Sequence, residues 1–197
     1  MRIIKYIYMH YVSYRLKRKV KLEGNDHKFN SHSRISYDDG AKKGQIILKD
    51  HVDMYGTIIA SNEGQIVMGE YSKIGTGSKL LAVNKIIIGK YTAIAENTTI
   101  VDNNNHPINP EYRKQMRVTP HGSDMRKWKH SVSSPIIIGE NVWIGSNVRI
   151  CKGVTIGDNS VIAACSVVTK DVPANSIAAG NPAKIVKTDI DKIIDVK

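Results

Sequence analysis

Residues 134–168 read SPIIIGENVWIGSNVRICKGVTIGDNSVIAACSVV, and within them Ile138, Ile144, Ile150, Ile156, Ile162 and Val168 recur at a spacing of six. A helix would need apolar residues at intervals of three and four, and a plain amphipathic strand would alternate by two without singling out every third inward position. A period of six is a short strand and a corner, repeated. Gly139, Gly145, Gly157 and Ala163 directly follow four of the aliphatics, where a sharp corner tolerates only a small side chain. Val142, Val148, Val154, Ser160 and Ser166 stand two residues before the next aliphatic and supply a second, smaller inward position. The pattern predicts a parallel β-helix in which three hexads make one triangular coil. Each flat face then pairs with the neighbouring coil about 4.8 Å away.

Upstream the repeat continues at a longer pitch. Leu48, Met68 and Ile88 are aligned at intervals of 20, as are Met54, Ile74 and Ile94, and Ala60, Leu80 and Ile100. Each coil is therefore expected to carry two extra residues at one corner, which a loop tolerates at small entropic cost. Between Asp102 and Pro135 the repeat breaks, and the interruption holds His106, Pro107, Pro110, Pro120, His121, Gly122, Trp128 and His130. Loops of that length are functional or disordered. The expected organisation is an N-terminal helix and polar loop segment over residues 1–45, the β-helix over 46–187 with its loop at 102–135, and a tail or short helix over 188–197.

Residues 1–22 carry Ile4, Ile7, Tyr8, Tyr11, Val12 and Leu16 at helical spacing, with Arg15, Lys17, Arg18, Lys19 and Lys21 near the end, where cations suit the helix dipole. This helix is expected to cover the open edge of the first coil. Its basic cluster also suits weak association with an anionic membrane surface. Residues 23–45 read as a polar loop with room for one irregular coil. His27 and His32 lack the cysteines and carboxylates of a zinc site, so no metal is expected there.

The 197 residues carry 29 Lys and Arg against 18 Asp and Glu, a net charge of +11. That balance favours anionic partners, among them membrane surfaces, CoA phosphates and acidic polysaccharide. Nucleic acid is not expected, because no basic region is interleaved with stacking aromatics in a recognisable module. A single Phe and two Trp suit an interior of stacked aliphatics. Cys151 and Cys165 occupy different repeat phases, which argues against a disulfide and for a reducing, cytoplasmic setting. Lys5, His10 and Arg15 interrupt any signal-peptide core, and no apolar run reaches the roughly 20 residues of a membrane span.

NNNHPI at 103–108, NVWIGSNV at 141–148, GVTIGDNSVIAACSVVTKDVP at 153–173 and AAGNPAKIVK at 178–187 resemble the hexapeptide-repeat acyltransferases, in particular the sugar O-acetyltransferases of the maltose, galactoside and polysaccharide branches. The resemblance covers the chain from about Ile66 onward. It implies a left-handed β-helix, against the usual right-handed rule for parallel crossovers, and a homotrimer binding acetyl-CoA between subunits. In that family a loop such as 102–135 reaches over the neighbouring subunit's active site.

Acetyl transfer to a hydroxyl needs a base for the alcohol proton and donors for a tetrahedral oxyanion. The resemblance assigns the base to His106, whose imidazole chemistry suits proton exchange near neutral pH. Glu111, Asp124 or a backbone carbonyl stands to orient it, and spacing does not choose among them. His121 and His130 are expected to be lid residues. Ser146 corresponds to a family serine near the thioester, Trp143 to a pocket-lining tryptophan, and Ala164, Thr169 and Lys170 to positions along the pantetheine arm. Lys184 and Lys187 stand where the galactoside branch has arginines for the CoA 3′-phosphate, giving point charge without bidentate geometry. Gly75 replaces an asparagine that holds small sugars in the family. With the basic N-terminus, that departure points to a surface or capsular polysaccharide, or its lipid-linked precursor. Antibiotic acetylation and a catalytically silent assembly module are the competing readings. The second would be expected to lack the HP and WIGS segments, and both are present. A metal-dependent hydratase needs three histidines on adjacent coil faces, whereas the coils from Leu48 to Ile100 contain only His51.

Overall fold

A computed structural model of the chain describes residues 2–194. The chain winds into a parallel β-helix with three faces. The first face is a six-stranded sheet beginning at Lys21–Leu22, the second an eight-stranded sheet beginning at Lys28–Phe29, and the third a six-stranded sheet beginning at Arg34–Asp38. Successive coils stack in register: Ile138 pairs with Ile156, Ile144 with Ile162, and Ile150 with Val168. All six side chains are buried. Residues 21–38 already form a first, irregular coil, since their three strands pair in parallel with Ile46–Leu48, Asp53–Met54 and Thr57–Ser61.

The corner glycines serve a different purpose from the one their spacing suggests. Gly139, Gly145 and Gly157 do not adopt positive φ; the left-handed residues are Asn141, Asn147, Asn159 and Cys165, two places further on. Asparagine tolerates that conformation because its short amide bonds locally, and here Asn141 donates to Asn159, which donates to Asn175, each at 3.0 Å. What the glycines provide is close approach of coils. A Cβ on Gly145 would stand 2.7 Å from the Ala164 nitrogen of the next coil.

The two extra residues of the 20-residue coils are also not loop. They lengthen the strands on either side of the edge between the third and first faces, giving Lys79–Ala82 and Lys85–Ile88 where later coils have Arg149–Ile150 and Thr155–Ile156. Ala60 falls outside the expected stack: Ile58 pairs with Leu80 and Ala60 with Ala82, because only Tyr55 and Gly56 separate Asp53–Met54 from Thr57–Ser61. Inward hydroxyls satisfy the corners. Thr92 and Thr98 donate to the carbonyls of Gly139 and Gly145 and accept from the amides of Val142 and Val148, so these buried hydroxyls are themselves satisfied and pair backbone groups at two corners.

Helix α1, Arg2–Lys17, caps the first coil through Val12 and Leu16, which join the core with Val20. Towards its N-terminus the adjoining stripe is exposed: Ile4, Ile7, Tyr8 and Tyr11 follow one another at helical spacing and face solvent. No helix among the described residues is long and apolar enough to cross a membrane. At the other end, Ile190–Lys192 forms a single 3-10 turn, with Ile194 exposed beside it; residues 195–197 lie outside the described residues. Both cysteines are free.

Candidate active site

The repeat opens at Asp102. Ile86 pairs with Ile136, fifty residues on, so the β-helix resumes in register after the excursion. Its two stems are zipped together: Asn103 bridges Ser133 antiparallel, the Asn104 amide donates to the Val132 carbonyl at 3.0 Å, and the Ser134 amide donates to the Asp102 carbonyl at 2.9 Å. The Asp102 carboxylate is fully buried and accepts from the backbone amides of Val83 and Asn84 and from the Asn103 side chain. Burial pushes its carboxyl above the usual range, and those donors pull against the shift. Asn103 in turn accepts from the Asn105 amide at 2.7 Å and from the Ser131 hydroxyl at 3.3 Å.

His106 stands directly beyond this anchor. Asn105 is left-handed at φ 64°, and the His106 amide turns back onto the Asn104 carbonyl at 2.7 Å. The imidazole is exposed, and its neighbour is the Asn105 amide, 3.2 Å from Nε2. Neither expected carboxylate orients it. Asp124 is engaged by His130 at 2.8 Å, Lys129 at 2.6 Å and Lys127 at 3.3 Å, and these partners hold its carboxyl well below the usual range. Glu111 lies exposed in the first turn of α2, Pro110–Val118.

Helix α2 was not foreseen, although its signal is in the sequence: Asn109 caps it by accepting from the amides of Glu111 and Tyr112, and Pro110 occupies its first turn. Met116 is its buried anchor. Between α2, the end of strand Arg34–Asp38 and the turns around His121 and Lys127 lies an open cavity of about 1100 Å³, with His106 and His121 both on its wall. Lys127 ties the loop to the β-helix through Asp39, 3.7 Å away. Tyr37 forms part of the same wall; burial pushes its phenol up to about 12, and its hydroxyl donates to the Lys19 carbonyl at 2.7 Å.

The remaining expected site residues lie elsewhere on the chain. Ser146 and Ala164 share the edge between the second and third faces, where the Cys165 amide donates to the Ser146 carbonyl at 2.9 Å. Trp143 projects from the second face and is 61% exposed, so it does not pack within its own chain. Thr169 and Lys170 lie exposed on the edge from which the loop departs, two coils further along. Lys184 and Lys187 belong to Ala183–Lys187, the outermost strand of the second face, antiparallel to Ile177–Gly180. An odd spacing would normally put them on opposite sides of a strand. Here the register shifts at Ile177, so that Lys184 pairs with Ala179 and Lys187 with Ile177, and the bulge returns both to one side. One chain therefore brings His106 together with His121 and Tyr37, and keeps Ser146, Ala164, Lys184 and Lys187 on a different edge or face.

The bacterial transferase hexapeptide family (six repeats) matches residues 135–170. The galactoside O-acetyltransferase of Escherichia coli (strain K12) is 45% identical over 102 residues, which are 52% of this chain and 43% of that protein's own length. A Saccharomyces cerevisiae (strain ATCC 204508 / S288c) acetyltransferase-family protein, YJL218W, is 34% identical over 184 residues, covering 90% of this chain and 83% of that one. Among solved structures, the polySia-specific acetyltransferase NeuO superposes with a TM-score of 0.61 at 28% identity, over 86% of this chain and 70% of its own. A galactoside acetyltransferase in complex with coenzyme A superposes at 0.56 and 30% identity, over 92% and 72%. The chain belongs to the hexapeptide-repeat acetyltransferases, and its fold is their left-handed parallel β-helix.

Proposed function

We propose that the protein transfers an acetyl group from acetyl-CoA to a hydroxyl of a sugar in a surface or capsular polysaccharide or its precursor, with His106 as the base. The observation that carries this reading is His106 itself, held by a buried Asp102–Asn103 anchor yet left exposed on a cavity wall. In the reaction, His106 accepts the acceptor's hydroxyl proton as the oxygen attacks the thioester carbonyl. The tetrahedral adduct collapses with cleavage of the carbon–sulfur bond, and the proton passes from His106 to the departing thiolate, leaving an O-acetyl ester and free CoA. Ser146 and the amides beside it offer donors to the oxyanion. Ala164, Thr169 and Lys170 line the pantetheine path, and Trp143 closes the pocket.

The separation of these groups within one chain supports a homotrimer, in which the edge bearing Ser146 and Ala164 meets the neighbour's loop. Flat β-helix faces pack readily about a threefold axis. The solved relatives named for galactoside and for polySia support a sugar acceptor, and the two free cysteines suit the cytoplasm. The test is mass spectrometry of a glycan and antibiotic panel incubated with acetyl-CoA, alongside sedimentation. O-acetylated glycan from a trimer is the expected result; acetylation of antibiotics alone, or full turnover by a monomer, defeats the reading.

Lys184 and Lys187 carry a separate expectation. Sharing one side of the last strand, they pair with the CoA 3′-phosphate. Replacing both by Ala raises the apparent constant for acetyl-CoA by the worth of a charged hydrogen bond, about 1 to 3 kcal/mol. The constant for dephospho-acetyl-CoA stays nearly unchanged. Steady-state kinetics with the two thioesters checks it, and equal losses with both place the lysines elsewhere.

A further inference from the structure

The cavity beside His106 is strongly cationic. Arg113, Lys114, Arg117, Arg126 and Lys127 line it, against the two carboxylates of Asp38 and Asp39. The first three come from α2, where positions 113, 114 and 117 fall on one side of the helix, with the buried Met116 adjoining them on the cavity wall. Cations three and four residues apart on a helix repel one another, by about 0.2–0.5 kcal/mol per pair. A solvated face ordinarily mixes signs to avoid this; the helix's one acidic residue, Glu111, stands three places before Lys114 and outside the cavity lining, so the charged positions facing the cavity are all basic.

The partners divide the five cations into two groups. Arg113 is held by the Ile108 carbonyl, Arg126 donates to the Thr119 carbonyl at 2.9 Å, and Lys127 pairs with Asp39 and Asp124. These three fix the loop's shape. Among the described residues Lys114 and Arg117 have no side-chain partner, and both are exposed on the wall that holds His106. The CoA-side residues Lys184 and Lys187 lie on the outermost strand of the second face, whereas the loop departs from the edge between the third and first faces. Lys114 and Arg117 share the cavity wall with His106, the group that meets the acceptor hydroxyl in the proposed reaction, so their charge stands beside that substrate.

We infer that the acceptor is an acidic glycan, whose ring carboxylates lie along Lys114 and Arg117 while a hydroxyl of the same chain reaches His106. This rests on the acetyl-transfer reading and adds the substrate's charge to it. Sugars without charge would leave two unpaired cations facing the cavity and gain nothing from them. A carboxylated chain meets point charge from Lys114 and a bidentate fork from Arg117.

The test uses tetragalacturonate and the neutral maltotetraose as probes of equal length. Calorimetry with the native protein should show tetragalacturonate bound at least tenfold more tightly, with the advantage shrinking as salt screens it. Lys114→Gln with Arg117→Gln should remove the preference, and Lys114→Arg with Arg117→Lys should keep most of it. Affinity for CoA should be the same in all three proteins. Equal binding of the two tetrasaccharides, binding of neither, or a loss of CoA affinity in the Gln variant overturns the inference. Acetyl-CoA that is bound without acetyl reaching any glycan hydroxyl defeats the acetyl-transfer reading instead, and leaves the binding comparison to judge the charge of the ligand separately.

Discussion

His106→Asn, which removes the proposed base, lowers the rate of acetyl transfer by about a hundredfold to ten-thousandfold, the usual contribution of a general base, while folding and acetyl-CoA affinity stay close to native. The reason lies in where the side chain stands. His106 is exposed on the cavity wall and contributes nothing to the buried aliphatic stack, so its loss falls on the chemical step. A protonated ring has no lone pair to offer, so acidification slows the native protein, and the residual rate of the variant lacks that dependence. His130 is a control from the same loop: it is spent on Asp124, 2.8 Å away, so His130→Ala retains most activity. His121 is the sharper comparison, since it shares the cavity wall with His106. Single-turnover measurements that find His121→Ala inactive and His106→Asn active would show that the base is the other histidine.

Asp102→Ala has the second large effect, on stability and activity together. The carboxylate is fully buried and receives the amides of Val83 and Asn84 and the side chain of Asn103. Removing it strands these donors, and a buried donor left unpaired costs about 1–3 kcal/mol. A loss of about 1–3 kcal/mol in urea denaturation is therefore expected, carried by the buried Val83 amide, since Asn84 is exposed and its amide can turn to water. Asn103 also holds the Asn105 amide that sets the turn before His106. Turnover should accordingly fall even under conditions where the variant is folded. Asp102→Asn keeps one acceptor oxygen and should recover part of both losses. Native stability and native turnover in Asp102→Ala would show that the zipped stems alone, through Asn104 to Val132 and Ser134 to Asp102, fix the loop.

The alkaline limb of stability has its own expected contribution from Tyr37. Its phenol ionises near its ordinary value in the unfolded chain but is pushed up to about 12 when folded. Between those values the unfolded chain has released a proton that the folded chain keeps, so stability falls as pH rises through this window.

How much of this was legible in the sequence follows from which interactions are local. The six-residue spacing from Ile138 to Val168 determined the parallel β-helix, because a corner every six residues leaves each aliphatic only one place to go, beneath its counterpart in the next coil. The motif around His106 marked the same loop that the structure places over a cavity. Where prediction slipped, the deciding contact lay between coils. Ala60 leaves its stack because a corner two residues shorter shifts the register. The glycines are small for the sake of the next coil's backbone, which spacing within one strand does not reveal. Only the tertiary structure showed that Asp124 belongs to His130, that Asp102 anchors the loop, and that a bulge sets Lys184 and Lys187 on one side. It alone gathered the cations of α2 around His106. The repeat encodes a one-dimensional stack, so its period reports the scaffold; a loop that leaves the stack is placed by side chains and backbone groups far apart in sequence, and no period records those.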